Sequence, residues 1–531
     1  MEPAILFICV FTLLLLGVPV AVSLGLSSLI IIVFFSNDSV SSVAQQLFTA
    51  SQNYTLLAIP YFILAAAFMS TGGVAQRIIR FAIATVGSFR GGLAMASVLA
   101  CMLFAALSGS SPSTVVAIGT IAIAGMRQVG YSKEFASGIV ANAGTLGILI
   151  PPSIVMVVYS AATDVSVGRM FLAGVIPGIV AGLMLMLTIY VIARIKNLPK
   201  GEWLGWQEFI RAGKDSAWGL FLIIIILGGI YGGVFTPTEA AAVAAVYSFL
   251  IALFIYRDMG PLKGRTFLRE GDSVRTRNGF FGWVYALALF VLTLIIAYFV
   301  AEDAAFGMRA LVAAVIAAGC GIAYVTGKAD TGLGALASGL GVLLRNVMET
   351  LAAVPATIVH RDTRKVMIEA SRTTIMLMFI IVNALLFAHV LTSERIPQAI
   401  TDWMLGAGFD WFTFLIAVNV LLLIGGQFME PSGLLLIVAP VVFPIAIQLG
   451  VDPVHLGIIM VVNMEIGMIT PPIGLNLFVT SGITGMSLVQ VVRAALPFVA
   501  VLFVFLILIT YVPIISTFLP TAMMGPEIVT R

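Results

Sequence analysis

Charge is what this sequence has least of. Only 10% of its 531 residues are Asp, Glu, Lys or Arg, while 61% are hydrophobic. Soluble domains carry about 25% charged residues, so a water-facing globule is excluded. No basic residue precedes Arg77; without the positive flank of a secretory signal, the N-terminal apolar segment is expected to be a retained anchor. The three cysteines, Cys9, Cys101 and Cys320, lie far apart in apolar segments, which argues against a disulfide framework or a thiolate metal site. The three histidines, His360, His389 and His455, are isolated and read as structural or loop residues. Gly321–Lys328 ends in Gly-Lys, but the spacing is one residue too long and Ala329 follows, so no phosphate-binding loop is present. Gly109-Ser110-Ser111-Pro112-Ser113 lacks the closing glycine of a hydrolase elbow. An intramembrane enzyme needs a nucleophile–base pair or a metal cluster, and the sequence offers neither.

What is present is length of apolar chain. The mean hydropathy is +1.13, and several runs reach the 18 or more residues that cross a bilayer. With no barrel-like alternation, the spans are expected to be helices, because an open sheet cannot face lipid. The fold expected is an all-α polytopic membrane protein. Basic residues gather in three loops, around Arg194–Lys214, Arg257–Arg277 and Arg361–Arg372. An even number of spans separates each from the next, which places all three in the cytoplasm. The net charge of +3 is ordinary membrane topology and gives no reason to expect nucleic acid.

The chain also repeats itself. Ser111-Pro112-Ser113 returns as Glu430-Pro431-Ser432, Gln128-Val129-Gly130 as Gln448-Leu449-Gly450, and Gly147–Pro152 as Gly467–Pro472. Ser166 and Pro177 return as Ser487 and Pro497. Helix-breaking residues at matched places in two apolar halves point to a transporter binding site. Seven spans are counted between the repeats, with 331–351 read as interfacial; an odd count makes the repeat inverted. The expected organisation is N-terminal scaffold helices over 1–90 and a first transport repeat over 91–193, with a re-entrant hairpin near 135–162. Scaffold helices and a basic loop follow over 194–264, then an inserted segment over 265–365 with two extra spans. A scaffold helix over 366–410 leads to a second repeat over 411–520, with a hairpin near 454–485.

The breaks carry the chemistry. A proline has no N–H, so the carbonyl four residues earlier loses its helical partner. Pro112 frees Ser108, Pro431 frees Gln427, Pro151 and Pro152 free Gly147 and Ile148, and Pro471 and Pro472 free Gly467 and Met468. Irregular backbone at membrane depth survives only where it is buried in protein or lines a wet cavity. Oxygen ligands suit a hard cation, while helix N-termini suit an anionic substrate. The expected cation ligands are Ser108, Ser110, Gly147, Gln427, Glu430, Gly467 and Thr470. The expected substrate residues are Ser111, Ser113, Asn142, Thr145, Pro151, Pro152, Pro471, Pro472 and Asn476. Glu465 is an intramembrane acid for which a site role and a helix-packing hydrogen bond both stay open. Glu239 reads as scaffold.

At these residues the sequence resembles the large membrane subunit family of TRAP transporters (DctM-like). The resemblance rests on Leu57–Ala65, Phe104–Gly119, Leu146–Ile154, Phe235–Ala241 and Gly467–Val479, and covers about 1–260 and 366–520. It implies a secondary transporter of the bacterial inner membrane that moves small organic acids, such as C4-dicarboxylates or sialic acids, by an elevator motion driven by Na+. It implies two partners, a small four-helix membrane subunit (DctQ-like) and a periplasmic substrate-binding protein (DctP-like). The sodium sites implied join the Ser108–Ser111 break to the Gly147 tip and the Glu430 break to the Gly467–Thr470 tip. Two departures stand out: Pro112, Ser113 and Thr114 replace an Asp often found after Ser-Ser, and Glu430 stands where Asp is frequent. Two inserted spans are too few for a fused four-helix subunit, so that partner is expected on a separate chain. The competing expectation is a dicarboxylate/sodium symporter of similar double-hairpin plan that needs no binding protein.

Overall fold

In lipid a segment must satisfy its own backbone N–H and C=O groups, and apolar runs therefore wind into helices. The computed structural model describes residues 2–35, 45, 48, 49, 52, 54–71, 73–300, 305–327 and 333–526. Among these residues there is no strand, only an isolated bridge between Arg90 and Lys200. The chain divides into two compact units, Met1–Ala252 with Lys365–Arg531, and Leu253–Arg364.

The first unit opens with α1 (Glu2–Leu15), α2 (Val20–Phe34), α3 (Ala58–Thr71), α4 (Val74–Val86), α5 (Gly92–Ser108) and α6 (Ser111–Gln128). It continues with α7 (Lys133–Ala143), α8 (Ile154–Thr163), α9 (Val167–Ile195), α10 (Gly205–Ile223) and α11 (Pro237–Leu250). The second unit holds α12 (Val274–Val300), α13 (Phe306–Thr326) and α14 (Gly334–Val359). The chain then returns through α15 (Arg361–Ser393), α16 (Ile396–Gly406), α17 (Trp411–Gly426) and α18 (Pro431–Gln448). It ends with α19 (Pro453–Gly467), α20 (Leu475–Thr484), α21 (Leu488–Tyr511) and α22 (Ile514–Met524). Nine helices among the described residues are long and apolar enough to cross a membrane.

One of the nine is α14, where the sequence reading expected an interfacial stretch ending at 351. The helix runs on through Pro355 to Val359, 26 residues in all. Two of its charged residues find partners in the same unit: Arg345 pairs with Asp272 (3.3 Å), and Glu349 pairs with Arg269 (3.0 Å). The second unit thus holds three such helices rather than two. Counted as a crossing, α14 makes eight between the repeats, and the span count no longer gives the inverted relation. It also puts three spans between the Arg257–Arg277 and Arg361–Arg372 loops, so only the first two basic loops keep an even separation and a shared face.

The repeats reproduce each other element by element. Gly130 and Gly450 both turn the chain with positive φ before a hairpin. Ser132 and Asp452 cap the hairpins' first arms, α7 and α19. Ser166 and Ser487 cap the long helices that follow, α9 and α21, and Pro177 and Pro497 lie inside them. The hairpin arms have 10–15 residues, or about 15–22 Å at 1.5 Å per residue. That is short of the ~30 Å hydrocarbon core, so no single arm spans it alone. Pro151-Pro152 and Pro471-Pro472 occupy the tips, and both bonds are cis.

The packing between repeats is reciprocal. The second arm of each hairpin lies on the helix after the other repeat's break: α8 on α18, and α20 on α6. The first arms do the same with the long helices, α7 against α21 and α19 against α9. An arrangement in which i meets j′ and i′ meets j is that of a two-fold axis.

Candidate transport site

Each break is a helix end facing a helix start. α5 ends at Ser108, Gly109 turns left-handed at φ +56°, and Ser110 is extended before α6 begins. A side chain at Gly109 would also meet the Pro152 carbonyl, so backbone conformation and close approach both require glycine here. α17 ends at Gly426, and Glu430 caps α18 by accepting from the Gly433 N–H (3.1 Å). Pro112 and Pro431 sit in the first turns of α6 and α18, where the missing N–H costs nothing.

The two breaks and two tips meet around one cavity of about 330 Å³. Residues from the starts of α6, α8, α18 and α20 line it, so four helix N-termini converge there. Of the expected site residues, Ser108, Ser110, Ser111, Ser113 and Glu430 reach the wall. Asn476 stands one bond behind it: its amide donates to Ser111 Oγ (2.7 Å) and to the Ala141 carbonyl (3.3 Å). Ser111 in turn donates to the Gly144 carbonyl (3.0 Å). Ser108 Oγ and Thr114 Oγ1 are 2.8 Å apart, and the Thr114 hydroxyl reaches the Ser110 carbonyl at 2.9 Å.

The tips rest on the breaks. A Cβ on Gly147 would lie 2.8 Å from the Ser110 carbonyl oxygen, and one on Gly467 would lie 2.7 Å from the Gly426 backbone. Each tip glycine therefore packs on the break of its own repeat. The remaining expected residues are not on the cavity wall. Thr145 is buried and bonds to Glu465 Oε1 (2.6 Å), and buried Asn142 donates to the Gly138 carbonyl of its own helix (2.8 Å) and to the Ala495 carbonyl of α21 (3.4 Å). Thr470, just past the end of α19, donates to that helix's Ile466 carbonyl (2.7 Å), and Gln427 follows the end of α17. Pro151 and Pro152 are buried, whereas Pro471 and Pro472 are exposed.

Electrostatically the two breaks differ. The N-terminus of α6 has no side-chain cap and neither has that of α20, while α18 carries the Glu430 carboxylate and α8 the Ser153 hydroxyl. Orphan N–H groups favour an anion at α6, whereas at the start of α20 the Asn476 and Leu477 N–H groups already donate to the Met468 and Gly474 carbonyls (3.0 and 2.8 Å). The sequence reading missed Ser70 on α3 and Glu369 and Thr373 on α15, all on the wall. Lys365 and Arg372 surround Glu369 and made this stretch read as a loop; the helix in fact starts at Arg361. The wall carries two carboxylates, Glu369 and Glu430, and no Lys or Arg.

Paired broken helices and short hairpins around one cavity, with serines, threonine and two carboxylates set in an otherwise apolar wall, are the architecture of a membrane permease. The chain belongs to a family described as tripartite ATP-independent periplasmic transporter, DctM component, whose model matches residues 7–296 and 275–515. It is 58% identical, over all of both chains, to the C4-dicarboxylate TRAP transporter large permease protein DctM of Vibrio cholerae. It is 34% identical to the isethionate TRAP transporter permease protein DctMQ of Oleidesulfovibrio alaskensis, over 95% of this chain and 64% of that one. Among solved structures it resembles in fold the Alcanivorax borkumensis YdaH transporter, with a TM-score of 0.51 and 13% identity, covering 92% of this chain and 96% of that one. The chain is thus a multi-pass transporter permease, not an enzyme, and the bacterial inner membrane is consistent with it.

Proposed function

We propose that this chain carries C4-dicarboxylates across the inner membrane, driven by sodium. The single observation behind this is the cavity where four helix N-termini converge without a basic side chain. A dianion there is held by backbone N–H groups, chiefly at the uncapped start of α6. Two carboxylates on the same wall oppose an unaccompanied dianion, and co-bound cations offset that repulsion. The substrate class follows the relative that is 58% identical along its whole length. One sodium is assigned to the Ser108–Ser111 break with the Gly147 tip, the other to the Glu430 break with the Gly467–Thr470 tip.

The partners proposed are a periplasmic binding protein that delivers the dicarboxylate and a small membrane subunit on a separate chain. The relative named as a DctMQ permease is longer, and this chain spans 64% of it. The second unit has three long helices, one short of a fused four-helix subunit. The motion proposed is an elevator, in which hairpins and broken helices move as one body, since their packing on each other is reciprocal.

The test is uptake of labelled succinate into proteoliposomes that contain the chain with its small subunit and binding protein. Uptake is expected to require an inward sodium gradient and no ATP. Uptake that persists without sodium and collapses with a proton uncoupler overturns the coupling ion. Uptake by this chain alone replaces the tripartite reading with the binding-protein-independent symporter.

A further inference from the structure

A second concave site lies at the opposite end of α9 from its Ser166 cap. It is a cavity of about 620 Å³ between the turn joining α4 to α5, the end of α9 and the segment leading to α10. Backbone contacts hold its walls together: Arg90 and Lys200 form an antiparallel bridge, and the Gly91 N–H donates to the Pro199 carbonyl (3.3 Å). A side chain at Gly201 would collide with the Gly87 carbonyl, so the two segments approach as closely as backbone allows.

Three cations line the cavity, Arg90, Arg194 and Lys200, with one acid, Glu202. None of the three cations pairs with a carboxylate among the described residues. Arg194 donates to the Tyr190 hydroxyl (2.6 and 3.0 Å), and Arg90 donates to the Asn197 amide oxygen (3.2 Å). Neutral partners leave the positive charge uncompensated in a concavity, where field lines concentrate. A phosphate suits such a group, since guanidinium offers paired donors to its oxygens.

The surroundings say what carries the phosphate. Phe89 and Trp203 on the wall are 49% and 47% exposed. Trp203 stacks edge-on with Trp206, and Trp206 with Phe209, the amphipathic rings expected at a bilayer interface. Below the cavity, Ile195, Val191, Leu187, Leu183 and Ile179 of α9 recur every fourth residue, and all are exposed. Acyl chains fit that stripe while a headgroup fits the basic cavity above it.

We propose that this cavity binds the phosphate of an anionic phospholipid, on the face that the positive-inside rule makes cytoplasmic. Basic pockets between membrane helices on that side recognise such headgroups. The site is separate from the transport cavity and shares no wall residue with it.

Native mass spectrometry of the full-length detergent-solubilised protein tests this, with phosphatidylglycerol, phosphatidylcholine and inorganic phosphate as probes. The expected result is retention of phosphatidylglycerol over phosphatidylcholine. The triple variant Arg90→Gln/Arg194→Gln/Lys200→Gln should weaken phosphatidylglycerol by roughly a hundredfold. A control triple variant, Arg265→Gln/Arg275→Gln/Arg277→Gln, removes the same charge from the other unit and should bind as the wild type does. Because the variant could misfold, Arg194→Lys is measured beside it: it keeps the charge, loses the fork, and should weaken binding less. Equal binding by both triple variants overturns the proposal. So does inorganic phosphate binding as tightly as the lipid, which marks a soluble-anion site, or no preference for phosphatidylglycerol at all.

Discussion

Thr145 and Glu465 are the same position in the two repeats, 320 residues apart, and they touch: the Thr145 hydroxyl lies 2.6 Å from Glu465 Oε1. Two copies of one position meet only on the axis that relates them. Both side chains are fully buried, and the contact ties one hairpin to the other. The same hydroxyl is 2.6 Å from the Asn142 carbonyl. A hydroxyl has one proton to donate, so both contacts are hydrogen bonds only when the Glu465 carboxyl brings a proton of its own. Its other oxygen, Oε2, has no partner.

Glu465→Gln is therefore expected to be mild, since the amide donates in place of the acid. Thr145→Val strips the carboxyl of its one partner and should cost about 1–3 kcal/mol, the penalty for an unsatisfied buried polar group. Adding Glu465→Leu to Thr145→Val should recover part of that loss, because neither partner then needs the other. Thermal unfolding in detergent reads all three variants. A Glu465→Gln protein as unstable as Thr145→Val would refute the hydrogen-bond argument.

The tip glycines give a second prediction. Methyl groups at Gly147 and Gly467 meet backbone atoms at 2.7–2.9 Å, and backbone in a packed break cannot move aside as a flexible side chain does. Gly147→Ala and Gly467→Ala should each lift a tip off its break and reduce sodium-dependent uptake at least tenfold, about 1.4 kcal/mol of lost binding, while the protein still inserts. Gly482→Ala is the comparison, since a Cβ there has nothing within 4 Å. Equal loss in all three variants would point to general helix damage.

The pattern of legibility has a physical cause. Gly130 and Gly450 and the two Pro-Pro tips act through their own backbone, and Ser166 and Ser487 cap the backbone three residues on, so their places were readable from residue type and spacing. Side-chain targets were not readable in that way. Asn142 lies three residues from Thr145, yet it bonds across to the Ala495 carbonyl of α21 at 3.4 Å, because helical register turns it off the cavity. Glu369 was hidden by its basic neighbours, although α15 runs unbroken through them. The span α14 was hidden by Arg345 and Glu349, whose partners Asp272 and Arg269 are about 75 residues away in sequence. The Thr145–Glu465 contact could have been suspected from the 320-residue offset alone, had the two-fold been taken to run through the hairpins.

Asn476 and Ser111 join the second hairpin to the first break, and the bond is short and buried (2.7 Å). Ser111→Ala should leave the Asn476 amide with only the longer contact to the Ala141 carbonyl (3.3 Å). Each single variant should lose about 1 kcal/mol or more, and a double-mutant cycle with Asn476→Ala should show a coupling of 0.5 kcal/mol or more, about what contacting pairs display. Strict additivity would mean that the second hairpin does not meet the first break in the working protein.

The two acids on the cavity wall should respond in opposite directions. Glu430 accepts from the Gly433 N–H and from the Ser432 hydroxyl (3.0 Å), so Glu430→Gln preserves shape while removing the charge proposed to hold sodium. Its half-saturating sodium concentration should rise about tenfold, in line with a charge-assisted contact being roughly twice as strong as a neutral one. Ser110→Ala removes one hydroxyl and leaves its carbonyl, so a rise of about threefold is expected. Glu369 is 56% exposed, with Lys365 3.9 Å away, and it caps nothing. Neutralising it by Glu369→Gln takes one negative charge from a cavity proposed to receive a dianion, where a unit charge a few ångströms off is worth about 1 kcal/mol in water. The succinate KM should therefore fall several-fold with sodium dependence little changed. Higher KM in Glu369→Gln would make that carboxylate a substrate or cation partner, and unchanged sodium dependence in both Glu430→Gln and Ser110→Ala would remove those two residues from the sodium sites.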